Sequence, residues 1–136
     1  MTSEAATGHC LCGKVEYTIT EAPVMAINCH CKNCQRQSGS AFSSIIGVPQ
    51  SGVSIAGDFK TYEDHGETGK QVLRDFCGAC GSPLFSRVEA APGLIFVKVG
   101  TLDDTRGFMP AMHLWTSSKQ HWVDLADTPA FETNPA

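Results

Sequence analysis

Cys10-Leu11-Cys12-Gly13-Lys14-Val15-Glu16-Tyr17-Thr18-Ile19 sets two thiols, one residue apart, immediately before a strict apolar–polar alternation. Val15, Tyr17 and Ile19 recur at the two-residue period of a half-buried strand. As residues i and i+2 of extended chain, Cys10 and Cys12 share a face, so one short stretch offers a pair of sulfurs and the start of a sheet. Beyond it, strands are expected over 24–29, 41–48, 53–56, 59–63, 71–77, 83–88, 94–99 and 113–116, punctuated by glycine and proline at short intervals. The polar segment 32–39 reads as turn-like, with room for a short helical turn. The stretch after Asp124 reads as a turn-rich, acidic tail over the surface. No 3.6-residue periodicity persists, so the expected fold class is mainly β, with short antiparallel strands in a single domain spanning 1–136.

The chain has seven cysteines in three clusters: Cys10-x-Cys12, Cys29-x-Cys31-x-x-Cys34 and Cys77-x-x-Cys80. A disulfide framework would leave one thiol over, and sulfurs one or two residues apart bridge each other poorly, whereas clustered thiolates suit tetrahedral zinc. Four ligands close a structural site and three leave a position open for water or substrate, so the cysteines divide as four and three. Cys29, Cys31 and Cys34 can present three sulfurs from one turn with the opposite side open. Cys77-Gly78-Ala79-Cys80-Gly81 has the form of a zinc knuckle supplying two ligands, for which Cys10 and Cys12 are the natural partners. Spacing alone also permits two four-ligand sites, with His30 or another non-sulfur group completing the second.

With 42% apolar and 18% charged residues among 136, the chain has the composition of a globular protein, and no apolar run reaches the ~20 residues of a membrane span. The formal charge of −4 and only ten Lys and Arg argue against nucleic acid as a partner. The N-terminal residues lack a basic start and an apolar segment, so no secretory signal is expected, and reduced thiols fit a cytoplasmic location.

Longer motifs carry a resemblance. Gly8-x-Cys10-x-Cys12-Gly13-x-Val15-x-Tyr17 is followed by Cys29-His30-Cys31-x-x-Cys34-Gln35-Arg36-x-Ser38-Gly39-Ser40-Ala41-Phe42, and then by Phe76-Cys77-x-x-Cys80-Gly81-Ser82-Pro83-Leu84-Phe85. Val99-Gly100-Thr101-Leu102-Asp103-Asp104, Pro110, His113-Leu114-Trp115 and Lys119-x-x-Trp122 extend the pattern over about residues 8–131. The chain resembles the glutathione-dependent formaldehyde-activating enzyme family, also called CENP-V/GFA, whose fold is Mss4-like.

The resemblance implies several short, coiled antiparallel β-sheets stapled by a structural zinc on Cys10, Cys12, Cys77 and Cys80. It also implies a second, catalytic zinc on Cys29, Cys31 and Cys34, making two Zn2+ per chain. The implied activity is a carbon–sulfur lyase reaction run in reverse: addition of a thiol such as glutathione to formaldehyde or a related small aldehyde, giving S-(hydroxymethyl)glutathione. A non-catalytic zinc module that binds a protein partner is the alternative the same scaffold permits.

Among other residues, Arg36 and Lys32 lie within two positions of a ligand and are candidates to offset the thiolate charge, and Arg36 has the fork that suits a glutathione carboxylate. His30, flanked by ligands, is expected to point away from the metal and be either solvated or a proton carrier. Ser38, Gly39 and Ser40 are candidates to line the open face, and His113, Trp115 and Trp122 to wall a pocket or pack the core. Asp103 and Asp104 read as turn residues.

Overall fold

The computed structural model describes residues 5–66 and 68–134. Among the described residues, ten short strands form two sheets. β1 (Ala6–His9), β2 (Glu16–Ile19) and β5 (Val53–Ala56) make a three-stranded antiparallel sheet in the order β1-β2-β5. The second sheet has seven strands. Its members are β3 (Met25–Cys29), β4 (Ser43–Pro49), β6 (Lys60–His65), β7 (Gln71–Phe76), β8 (Pro83–Val88), β9 (Leu94–Lys98) and β10 (Met112–Leu114), in the order β10-β3-β4-β9-β8-β7-β6. Every pairing is antiparallel except β10 with β3. The fold is therefore mainly β, and no helix among the described residues is long and apolar enough to cross a membrane.

Strand alternation divides the apolar residues between two clusters on opposite faces of the larger sheet. Ile46 and Val48 of β4 and Ile95 and Val97 of β9 face the three-stranded sheet, where they meet Val15, Tyr17 and Ile19. Tyr17 sets its ring edge-on to Phe85 at 5.3 Å, and its hydroxyl lies 2.6 Å from Thr101 Oγ1. The intervening residues of the same strands turn the other way. Ile27 and Cys29 of β3, Phe96 of β9 and Leu114 of β10 form the second cluster, with Met25, Ile45 and Trp115 against them.

Three expectations need correction. Cys10 and Cys12 do not extend into β2: a tight turn follows β1, with the Gly13 N–H donating to the Cys10 carbonyl and Gly13 at φ 80°. Segment 32–39 is a helix, α1 (Lys32–Ser38), with Cys31 as its N-cap and Gly39 closing it at φ 66°. The tail does not merely lie on the surface. Its Phe131 N–H donates to the His113 carbonyl beside β10, and the Phe131 ring packs on the second apolar cluster.

Candidate functional site

Two matching turns gather four sulfurs. After β7, Gly81 at φ 81° lets its N–H reach the Cys77 carbonyl at 2.8 Å, the counterpart of the Gly13 turn. A side chain at that φ would be strained by roughly 1–2 kcal/mol, so glycine is what allows each loop to fold back around its sulfurs. Cys10 and Cys77 are buried, and the four sulfurs of Cys10, Cys12, Cys77 and Cys80 lie within 4.8 Å of one another. Cys10 to Cys12 is 3.6 Å and Cys12 to Cys77 is 3.7 Å. Those separations are far too long for a disulfide, and they match the ~3.8 Å edge of a sulfur tetrahedron built on ~2.3 Å zinc–sulfur bonds. The Ser82 hydroxyl, 3.2 Å from Cys80 Sγ, leads the hydrogen bonds that bring that thiol down to about 5. The Val15 N–H donates to Cys10 Sγ at 3.4 Å. Donors aimed at sulfur favour thiolates, the form a metal requires.

The other three sulfurs also fall within 4.8 Å of one another, and no fourth Cys, His, Asp or Glu joins them among the described residues. Cys29 ends β3, Cys31 caps α1 and Cys34 occupies its first turn, with the Cys34 N–H donating to Cys31 Sγ at 3.2 Å. Both sulfur groups can hold a metal ion. The three sulfurs border a cavity of about 460 Å3 walled by the second apolar cluster, and Trp115 stands at its edge with φ 59°.

Two cations that sequence proximity does not reveal accompany this group. Arg74 of β7 is buried, and its Nη1 donates to Cys34 Sγ at 4.0 Å. Its Nε is held at 2.9 Å by Asp64, and Asn33 of α1 donates to the same carboxylate at 3.1 Å. Lys98 of β9 is buried on the same sheet face and donates to Ser43 Oγ at 2.6 Å. Hydrogen bonds from Cys29 and Cys31, with the charges of Arg74 and Lys98 behind them, hold Cys34 well below the ordinary thiol range. Hydrogen bonds with Cys31 and Cys34, and then burial, push the Cys29 thiol upward.

Residues adjacent to the cysteines in sequence lie elsewhere. Arg36 and Lys32, with Gly39, Ser40 and Trp122, border a separate shallow depression of about 440 Å3 on the outer side of α1, and none of them lines the sulfur cavity. His30 points away from the sulfurs but is not solvated. It is fully buried, 3.0 Å from His113 Nδ1 through its Nε2, with Phe42 against its ring and its Nδ1 without a partner. Asp103 accepts from Thr7, and Asp104 forms a bidentate pair with Arg106, as befits turn residues.

Burial, and then His113 and Lys119, lower the His30 pKa from 6.5 to about 4. A folded-state pKa below the unfolded one means that His30 favours the fold fully above 6.5, and that this contribution is lost as pH falls from there towards 4. Nitrogen-15 NMR of the ring at about pH 5 is expected to show a neutral imidazole where an exposed histidine is already charged. A protonated His30 at that pH would contradict the burial.

The family model for "Glutathione-dependent formaldehyde-activating enzyme" matches residues 5–118. Curated fungal proteins carrying that family name are similar: one from Emericella nidulans is 32% identical over 67% of this chain and 47% of its own length. Another, from Penicillium rubens, is 33% identical over 74% of this chain and 53% of its own. The chain thus spans about half the length of these relatives. A crystal structure of a Rhodobacter sphaeroides protein shares the fold, with a TM-score of 0.58 at 22% identity over 76% of this chain and 91% of that one. With the family model running through both sulfur groups and the strands that carry them, the chain belongs to the glutathione-dependent formaldehyde-activating enzyme family.

Proposed function

We propose that the chain is a zinc-dependent enzyme of the carbon–sulfur lyase type that adds a thiol, glutathione or a smaller one, to formaldehyde or another small aldehyde in the cytoplasm. Cys10, Cys12, Cys77 and Cys80 would hold one Zn2+ and Cys29, Cys31 and Cys34 a second. The observation that carries this reading is a three-sulfur group at the wall of a cavity, with no fourth Cys, His, Asp or Glu joining it among the described residues. Zinc bound there supplies Lewis acidity towards oxygen and favours the thiolate form of a thiol.

The chain's own residues do the rest. In the reaction a sulfur–carbon bond forms, the carbonyl π pair moves onto oxygen, and the proton the thiol gives up ends on that oxygen. Three thiolates and a dication leave the second group near −1, which Arg74 and Lys98 offset from two sides. Arg74 lines the cavity and has donors beyond those used on Asp64 and Cys34, which suits it to an oxyanion. The apolar wall keeps water from competing with the thiol.

The test is exchange NMR on a thiol–aldehyde mixture, comparing hemithioacetal exchange with and without the zinc-loaded protein. Faster exchange is expected, and Arg74→Gln should reduce kcat/KM by roughly 10- to 100-fold, the worth of a charged hydrogen bond of ~1.5–3 kcal/mol. No acceleration with any thiol–aldehyde pair would favour the non-catalytic binding module instead.

A further inference from the structure

The cavity beside Cys29, Cys31 and Cys34 is far larger than formaldehyde needs. Its volume is about 460 Å3, while formaldehyde is little bigger than a water molecule, whose share of the liquid is ~30 Å3. Most of the wall is apolar: Met25, Ile27, Ile45, Val88, Phe96 and Leu114 face the space from β3, β4, β8, β9 and β10. They are one side of the central sheet, brought into register by the pairing of β3 with β4 and of β4 with β9. Gly47, opposite Phe96, contributes to the same surface. A Cβ there would sit 3.0 Å from the Phe96 ring, so its absence lets that ring lie flat along the sheet.

Polar groups are the smaller share of the wall, Asn33, Gln71, Arg74 and Ser86 among them. Glutathione carries two carboxylates and an ammonium group. Against these the described lining offers two cationic side chains and no Asp or Glu. Arg74 spends its Nε on Asp64 and its Nη1 on Cys34 and keeps its remaining donors for the reacting oxygen, and Lys70 is exposed. A buried carboxylate or ammonium without a partner is strongly unfavourable, whereas an alkyl or aryl group fits this wall at no such cost.

We propose that one of the two reactants carries an apolar arm, an alkyl chain or an aromatic ring, that lies along Ile27, Phe96 and Leu114 with its reacting end at the three sulfurs. This narrows the reactants of the thiol-addition reading above and rests on it. The arm belongs to the aldehyde or to the thiol, and two series separate these. In the first, 2-mercaptoethanol is kept constant while the aldehyde runs from formaldehyde to hexanal. In the second, formaldehyde is constant while the thiol runs from methanethiol to hexanethiol.

With the zinc-loaded protein, kcat/KM for hemithioacetal exchange is expected to rise about fourfold per methylene in one series until the cavity is filled. The responsive series identifies the reactant that bears the arm. Ala91→Trp, which narrows the cavity from the turn between β8 and β9, is expected to flatten that rise. Independently of turnover, hexanal or hexanethiol should shift the methyl NMR signals of Ile27, Ile45, Val88 and Leu114. Flat rates in both series with unmoved methyl signals would overturn the proposal. Methyl shifts without exchange for any pair would sink the addition reaction while supporting an apolar ligand.

Discussion

Cys77→Ser is expected to unfold the chain. Cys77 is 1% exposed at the end of β7 in the larger sheet, and Cys10, 0% exposed, ends β1 in the smaller one. An ion held between them would tie the two sheets beside the first apolar cluster, to which both cysteines belong. Structural zinc contributes on the order of 10–16 kcal/mol, against a total stability of about 5–15 kcal/mol for a typical domain. Serine is a poor ligand at neutral pH and leaves the buried Cys10 sulfur without its counter-charge. Circular dichroism with urea titration and metal analysis checks this: loss of cooperative unfolding is expected. A folded variant within about 2 kcal/mol of wild type would show that the four sulfurs do not hold the sheets together.

Cys31→Ser should behave in the opposite way. Cys31 is half-buried at the N-cap of α1, where its sulfur accepts the Cys34 N–H at 3.2 Å. Serine is among the best N-cap residues, so the helix keeps its cap and the change in stability should stay near ~1 kcal/mol. What it removes is one sulfur of three. Zinc content is expected to fall from two ions to one per chain, and thiol–aldehyde exchange to drop by about a thousandfold or more, as the group can no longer hold an ion in a defined open geometry. Retention of two ions with undiminished exchange would dissociate the three-sulfur group from the chemistry.

The contrast between these variants follows from what was legible in the sequence. Cysteine spacing is local information, and the sulfurs meet in the two groups that their clustering describes. Strand alternation around Val15, Tyr17 and Ile19, and the short apolar runs after it, located most of the sheet, with ends displaced by a few residues. The full two-turn length of the helix at 32–38 was missed because a seven-residue polar segment has no apolar stripe; its signals were the cap at Cys31 and the closing Gly39. That miss misplaced the cations. Arg36 is two residues from Cys34, and on a helix two residues turn the side chain by ~200°, so the guanidinium leaves the sulfurs and faces the other side of α1. Arg74 and Lys98 come instead from β7 and β9, brought to Cys34 by strand order alone. His30 was misread for a related reason: the parallel pairing of β10 with β3, unreadable from either strand, is what covers it with His113.

The two sulfur groups differ in how much chain must be gathered to make them. Cys29, Cys31 and Cys34 lie within a few residues of one another, so a nascent polypeptide can chelate an ion as soon as that segment leaves the ribosome. Cys10 and Cys12 must wait for Cys77 and Cys80, with the intervening strands closing a long loop first. Metal capture by the first group can thus precede collapse of the chain, while capture by the second coincides with it.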